Sequence, residues 1–120
     1  MTDIDQLLPL TPAVFHILLV LAKGEKHGYE IMKAVRQDSN GKVKMGNGTL
    51  YGSLKRMLSD RLIEDAGDRA EGDDTRRKYY KLTNLGRAAL NAEIQRYIDT
   101  TEVIKQYKLV PNWLPADSTL

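Results

Sequence analysis

The chain has no cysteine. That excludes a disulfide framework, a thiolate metal site and a cysteine nucleophile, and it leaves the redox compartment open. Histidine is nearly as scarce. His16 and His27 are the only two, and they stand too far apart in the sequence to read as a metal-binding pair. No metal and no cofactor are expected. Long apolar runs are missing as well: the longest, Val14 to Ala22, is broken by His16 and falls far short of the roughly 20 residues that cross a bilayer. Asp3 and Asp5 stand where a secretory signal would have basic residues, so a cytoplasmic protein with no membrane contact is expected. The segment Met45 to Gly48 (MGNG) lacks the lysine and the preceding strand of a phosphate loop, and Glu71, Asp73 and Asp74 do not fit a calcium loop. With no convergent acid, base and nucleophile in view, no catalytic residue is assigned and an enzyme is not expected.

What is present is an ordinary globular composition. The 120 residues are 42% hydrophobic and 28% charged, enough for one domain with a modest core and no internal repeat. The net charge of +2 says little, but its distribution says more. Lys42, Lys44, Lys55, Arg56 and Arg61 face a single acid, Asp60, between positions 42 and 61. An acidic block follows (Glu64, Asp65, Asp68, Glu71, Asp73, Asp74, with Arg69 alone against it), and then Arg76, Arg77, Lys78 and Lys81 come with no acid among them. Such alternation predicts a surface with a positive stripe, suited to a polyanion or simply solvated.

Local signals divide the chain into helices and a hairpin. Thr11-Pro12 starts a helix that is apolar nearly all round and ends at Lys23-Gly24, which makes it the central core helix, with His16 as a hydrogen-bonded core histidine. A second helix runs from near His27 to about Gln37 and stops at Ser39-Asn40-Gly41. His27 itself could serve a turn, meet a phosphate or lie open to solvent. A third helix lies within GTLYGSLKRMLSDRLI, from Gly48 to Ile63. There Leu50, Leu54, Met57 and Leu58 recur at helical spacing, while Thr49, Gly52, Arg56 and Ser59 fall on the other side. Two short strands, Ile63–Ala66 and Lys78–Leu82, bracket a polar loop from Gly67 to Arg77. Tyr79 and Tyr80 alternate across the second strand, which predicts one buried and one exposed, both structural. Thr83 then caps a helix reaching about Lys108, ahead of Pro111.

The predicted fold is mainly α with a small β-hairpin: three helices and a two-stranded hairpin in the order of a winged helix-turn-helix, plus a long C-terminal helix. In that arrangement the third helix enters the major groove and the hairpin flanks it. The small residues and cations of the third helix suit close approach to phosphates. Arg76, Arg77 and Lys78 sit on the hairpin stem, where contact is expected, while the acidic tip at Asp73 and Asp74 argues against its insertion into a groove. Arg56 is suited to a base edge, since a guanidinium can bind guanine at two atoms; an ion pair with Asp60 is the competing reading. Tyr51 sits at the seam between core and surface, either placing its hydroxyl on a phosphate or packing beside Leu54.

Together, LTPAVFHILLVLA followed by HGYEI (His27 to Ile31), GTLYGSLKRM (Gly48 to Met57), LIE (Leu62 to Glu64) and RKYYKLTNLG (Arg77 to Gly86) resemble the PadR family of transcriptional regulators, in its short form with one C-terminal helix. The resemblance spans roughly Leu10 to Leu90. Gly52 stands where the family often has proline, which loosens the start of the recognition helix. Arg61 stands where glycine is usual, which removes an easy helix stop. The resemblance implies a cytoplasmic homodimeric repressor that binds a palindromic double-stranded operator, with Lys44, Thr49, Tyr51, Ser53, Lys55, Arg56, Arg76, Arg77 and Lys78 as the DNA-binding set. The domain division is 1–82 for the DNA-binding winged helix, 83–110 for the dimerisation helix and 111–120 for a tail.

The stripe Leu90, Ile94, Tyr97, Ile98, Thr101 and Ile104 has little of its own domain left to cover it, so a second copy is the expected partner. The resemblance implies the same homodimer, joined by Ile4, Leu7 and Leu8. Packing back onto the first helix is the competing reading. The resemblance further implies release from DNA by a small aromatic or apolar ligand, in a pocket assigned to Phe15, Tyr97, Tyr107 and Trp113. From a different class of function, a winged helix can dock a protein in place of DNA, and the acidic tip would fit that use.

Overall fold

Thr11 caps the first long helix as its sequence predicts: its side-chain oxygen accepts the Val14 N–H at 3.2 Å, and Pro12 opens the turn. This computed structural model describes residues 3–71 and 75–109. In chain order the elements are α1 (Ile4–Leu7), α2 (Pro12–Leu21), β1 (Lys26–His27), α3 (Gly28–Asp38), α4 (Asn47–Ser59), β2 (Ile63–Glu71), β3 (Thr75–Leu82) and α5 (Asn84–Gln106). The helices pack α2 against α3, α4 and α5, and their apolar faces meet in one core. Ile17 and Leu18 of α2, Ile31 and Val35 of α3, and Leu50, Leu54 and Met57 of α4 are all buried there. Each such side chain contributes about 2 kcal/mol on leaving water.

His27 is neither solvent-exposed nor unstructured. It is buried, at 6% exposure, and forms the N-cap of α3. Its Nδ1 accepts from the Glu30 N–H at 3.3 Å while the Glu30 carboxylate accepts from the His27 N–H at 3.2 Å, a reciprocal capping box. Asn40 and Gly41 adopt positive φ (54° and 78°) and end the helix where expected. His16 departs from expectation in the other direction. Its Nδ1 is buried with no hydrogen-bond partner among the described residues, and its ring meets Phe15 edge-on at 5.8 Å.

The wing is longer than its sequence implied. The strands run to Glu71 and from Thr75, where a loop had been expected from Gly67 to Arg77. The ribbon absorbs turn-like residues through a register shift between Asp65 and Asp68, with Gly67 at φ 96° and its N–H on the Asp65 carboxylate at 2.7 Å. A solvated two-stranded ribbon buries no face, so no apolar alternation marks it. A third strand, β1, pairs antiparallel with β3, placing Lys26 opposite Tyr80 and His27 opposite Tyr79. The strand order is therefore β1-β3-β2, with β3 in the middle. That position corrects the tyrosine expectation: both are buried. Tyr80 joins the helical core, and Tyr79, on the opposite face, is covered by the His27 ring at 5.3 Å and the Arg69 guanidinium at 4.1 Å.

α4 ends against the start of α5. Arg61 takes a left-handed conformation (φ 63°), so the helix stops without the glycine usual at this point. The Leu62 N–H reaches back to the Met57 carbonyl at 2.9 Å. Thr83 caps α5 by accepting the Gly86 N–H at 2.9 Å, and the same hydroxyl donates to the Arg61 carbonyl at 2.6 Å. The Thr83 N–H donates to the Leu62 carbonyl at 3.2 Å. A Cβ on Gly86 would lie 1.9 Å from that carbonyl oxygen, so only glycine permits this approach. The first turns of α5 belong to the winged-helix core through Ala89 and Leu90. Glu93 is fully buried among them. Its carboxylate accepts the Leu10 N–H at 2.6 Å and the Arg96 Nε–H at 2.5 Å.

Gly86→Ala is expected to lower stability by about 3 kcal/mol, because a backbone carbonyl has to move. Arg61→Gly is expected to raise it by about 1 kcal/mol by relieving the left-handed residue. Urea unfolding followed by far-UV circular dichroism checks both; a Gly86→Ala midpoint equal to that of the wild type would refute the close α4–α5 joint.

Candidate nucleic-acid interface

Core packing of α4 leaves its other face to solvent. Thr49, Tyr51, Gly52, Lys55, Arg56 and Ser59 are exposed and Ser53 is half-buried. The helix starts at Asn47 and runs through Gly52, so a glycine in place of proline does not prevent its first turns from forming. Ahead of it, buried Met45 pins the loop that leaves Lys44 exposed. Arg56 makes no ion pair with Asp60, so the competing reading of that cation is not realised.

Tyr51 is 52% exposed and is not a core aromatic. Its ring lies across Gly28, the first residue of α3; a Cβ there would sit 2.9 Å from the hydroxyl oxygen and 3.2 Å from the ring. Gly28 thus matters to the site, and sequence reasoning missed it. The signal was available in the order His27-Gly28-Tyr29, a cap followed by a residue with no side chain. Tyr29, also missed, is 53% exposed, and the Arg77 guanidinium stands 5.8 Å from its ring centre.

The wing divides its cations into paired and unpaired. Lys78 meets the Asp65 carboxylate at 3.5 Å and Lys81 meets Glu64 at 3.6 Å. Arg69 pairs with Glu25 across to the α2–β1 turn. The Glu25 carboxyl is held below the usual glutamate range, first by the Arg69 hydrogen bond and also by the charges of Arg69 and Lys81. Burial raises the Tyr80 hydroxyl above the ordinary tyrosine value. By contrast Arg76, Arg77, Lys44, Lys55 and Arg56 have no ion-pair partner among the described residues. Cations without an ion-pair partner among the described residues therefore stand on α4, on the preceding loop and on the outer wing, while Lys78 is partly taken out of that set by Asp65. Asp73 and Asp74 lie outside the described residues.

The α5 stripe behaves as two parts. Leu90 is 3% exposed and belongs to the core of its own chain, so it adds nothing to an outward surface. To that extent the packing-back reading holds. Farther along, Tyr97, Ile98 and Ile104 are 40–49% exposed, with Thr101 half-buried beside them, and Val103, Tyr107 and Leu109 extend the apolar surface. Phe15 and Tyr97 meet with ring centres 5.1 Å apart. With Ile94, Ile98 and Thr101 they line an open groove of about 280 Å³. Tyr107 caps the end of α5 and does not line it. Trp113 lies outside the described residues. No helix among the described residues is long and apolar enough to cross a membrane.

Three helices, a wing flanking the third and a long helix leaving from the wing define the winged helix-turn-helix class. Residues 17–92 match the transcriptional regulator PadR-like family, and the chain belongs to it, a family of transcriptional regulators rather than enzymes. It is similar to a PadR family transcription regulator from Clostridium difficile, with 32% identity, coverage of 81% of this chain and 98% of that one, and a TM-score of 0.68. A PadR-like transcriptional regulator from Bacillus cereus shares the fold at 24% identity, over 91% of this chain and 97% of that one, with a TM-score of 0.67. Bacillus subtilis PadR, solved in complex with operator DNA, shares it at 20% identity, over 93% of this chain and 54% of that one, with a TM-score of 0.61. An uncharacterized protein of Lysinibacillus sphaericus is 30% identical over 89 residues, 73% of this chain and 80% of that protein.

The Glu25–Arg69 contact sets a pH dependence. A carboxyl with a lowered folded-state pKa contributes stability that is complete above its unfolded value, about 4.3, and is lost as pH falls through the folded value. A carboxyl-detected NMR titration should place Glu25 below the ordinary glutamate range and return it there in Arg69→Ala. An unchanged midpoint in that variant would remove Arg69 as the cause.

Proposed function

We propose that the chain is a sequence-specific DNA-binding repressor that acts in the cytoplasm as a homodimer and leaves its operator when a small aromatic or apolar molecule binds. The observation that carries the DNA reading is that α4, the loop before it and the outer wing each carry exposed or half-buried cations without carboxylate partners among the described residues. Unpaired cations can neutralise phosphates without first giving up a protein partner. That Bacillus subtilis PadR, which shares the fold, was solved in complex with operator DNA supports the same reading. Thr49, Tyr51, Ser53, Lys55 and Arg56 then lie along the major groove, with Arg56 at a base edge and the Tyr51 hydroxyl on a phosphate. Lys44, Arg76 and Arg77 hold backbone on either side.

The exposed part of α5, from Tyr97 to Ile104, supports self-association: an apolar strip on a helix that has left its own core is suited to a second copy across a two-fold axis. Two copies of α4 would then read a palindrome. The Phe15–Tyr97 groove lies beside that strip and suits a small apolar effector, whose binding would shift the spacing of the two α4 helices.

The test is binding to the DNA upstream of the chain's own gene against a scrambled duplex, at several salt concentrations. Tight, selective binding that weakens steeply with salt is expected. Absence of binding even at low salt would favour the protein-docking reading. Arg56→Ala should lose roughly tenfold or more and relax preference at one base pair. Joint replacement of Arg76 and Arg77 by alanine should weaken all duplexes alike, and Lys78→Ala should cost less than either because Asp65 already holds it. Ile98→Asp with Ile104→Asp is expected to give a monomer by sedimentation velocity; a dimer that survives both would place self-association elsewhere.

A further inference from the structure

Between the link that joins α1 to α2 and the last turn of α4 lies a hollow of about 140 Å³. Its apolar lining is Pro9 and Leu10 of the link, Val14 of α2, Met57 of α4 and Leu62 just beyond it. Leu10, Met57 and Leu62 are buried, so the floor belongs to the core. Hydrogen bonds fix that floor as well: the Leu10 N–H donates to the Glu93 carboxylate at 2.6 Å, and the Leu62 N–H to the Met57 carbonyl at 2.9 Å. Three polar side chains border the hollow, those of Thr11, Arg56 and Asp60. Thr11 is already engaged in capping α2. Arg56 and Asp60 stand about one turn apart at the end of α4, both exposed, and neither has an ion-pair partner among the described residues. A cation and an anion thus stand open beside apolar walls.

We propose that this hollow binds a free α-amino acid with an apolar side chain, which enters the hollow while the carboxylate meets Arg56 and the ammonium meets Asp60. Size sets the body of the ligand. An apolar cavity of about 150 Å³ holds a benzene ring, so a side chain the size of leucine's or phenylalanine's fills this one. Charge sets its head. A simple anion on Arg56 would also meet Asp60, a simple cation on Asp60 would also meet Arg56, and an uncharged apolar molecule would use neither. A zwitterion pairs with both, and its carboxylate suits the fork of a guanidinium. Apolar walls with a few polar groups that orient the ligand are the usual form of a small-molecule site. The hollow is built from one chain alone and shares no residue with the Phe15–Tyr97 groove. Arg56 also borders a second hollow, with Thr49 and Gly52 on the outer face of α4. Its guanidinium therefore stands between the amino-acid site and the surface read as facing DNA. A carboxylate held on Arg56 withdraws that side chain from the operator, so ligand and DNA compete for it. The competition rests on the reading that α4 enters the major groove; the site itself does not.

The experiment is a titration of the full, nitrogen-15-labelled chain followed by amide NMR shifts. The probes are L-leucine and L-phenylalanine, with leucinamide, which lacks the carboxylate, and 4-methylpentanoate, which lacks the ammonium. Saturable shifts centred on Leu10, Met57 and Leu62 are expected from at least one of the two amino acids. Leucinamide and 4-methylpentanoate should each bind about tenfold more weakly or worse than leucine, since each loses a charge-assisted hydrogen bond. Arg56→Gln and Asp60→Asn should weaken amino-acid binding to the same extent, and their spectra without ligand show whether the fold is kept. No saturable shift from either amino acid overturns the site. So do shifts centred on Phe15 and Tyr97, or binding that ignores the removal of either charge. The second arm measures affinity for the upstream duplex. Saturating amino acid should weaken the wild type roughly tenfold, the loss expected of Arg56→Ala. Asp60→Asn should bind the duplex as the wild type does and lose this response. An amino acid that occupies the hollow and leaves duplex affinity unchanged overturns the competition. If the wild type binds no duplex at all, the DNA reading fails with the competition, and the site stands or falls on the shifts.

Discussion

Where α4 ends, two backbone carbonyls, those of Arg61 and Leu62, are taken up by the first residues of α5: the Thr83 hydroxyl and N–H bond them at 2.6 and 3.2 Å, and Gly86 leaves the room for the approach. A helix normally finishes with orphaned carbonyls that water satisfies. Here the chain turns back to take up the last carbonyls of α4 itself (Asp60 on Arg56, Arg61 on Leu58, Leu62 on Met57), and the carbonyls just beyond them are bonded by the start of α5, with the whole wing inserted between in sequence. The wing therefore closes a loop whose two ends are fixed to each other, and α4 and α5 share one frame.

Much of this was legible in the sequence where short-range chemistry decides. Thr11-Pro12 and Thr83 announced their helices, Asn40-Gly41 its stop, and the apolar period of α4 its buried side, because caps, left-handed residues and helical spacing act within a few positions. What was hidden depends on partners far away in the chain. β1 is two residues long and exists only because β3 passes beside it. Tyr79 is buried because that same pairing makes β3 a middle strand with both faces covered. Leu90 reads as part of an outward stripe by spacing alone, yet the entry angle of α5 turns it into its own core. The candidate site was legible as residue types and as a face, but not as neighbours. Nothing local says that Tyr51 lies across Gly28, or that Asp65 takes Lys78 while Arg77 is left to stand over Tyr29.

Charge is distributed by the wing's geometry rather than by composition. The acidic block that follows α4 in sequence is spread along β2, where antiparallel pairing sets Glu64 opposite Lys81 and Asp68 opposite Lys78 of β3. Exposed pairs of this kind contribute little to stability, typically less than about 1 kcal/mol each. Their larger effect is on the field: they cancel charge on the inner stem of the wing, while Arg76 and Arg77 farther out have no ion-pair partner among the described residues.

Glu93 has a consequence of its own. Its carboxylate has no exposed surface, and one of its two donors is the N–H of Leu10, 83 residues earlier in the chain. The end of a domain ordinarily frays by itself, at almost no free-energy cost. Here, lifting the segment around Leu10 would deprive a buried carboxylate of a donor, so the opening cannot stay local. The early residues and the inner turns of α5 are thereby placed in one cooperative unit, and in amide hydrogen exchange the Leu10 N–H would exchange with the slow core amides rather than with a fraying end.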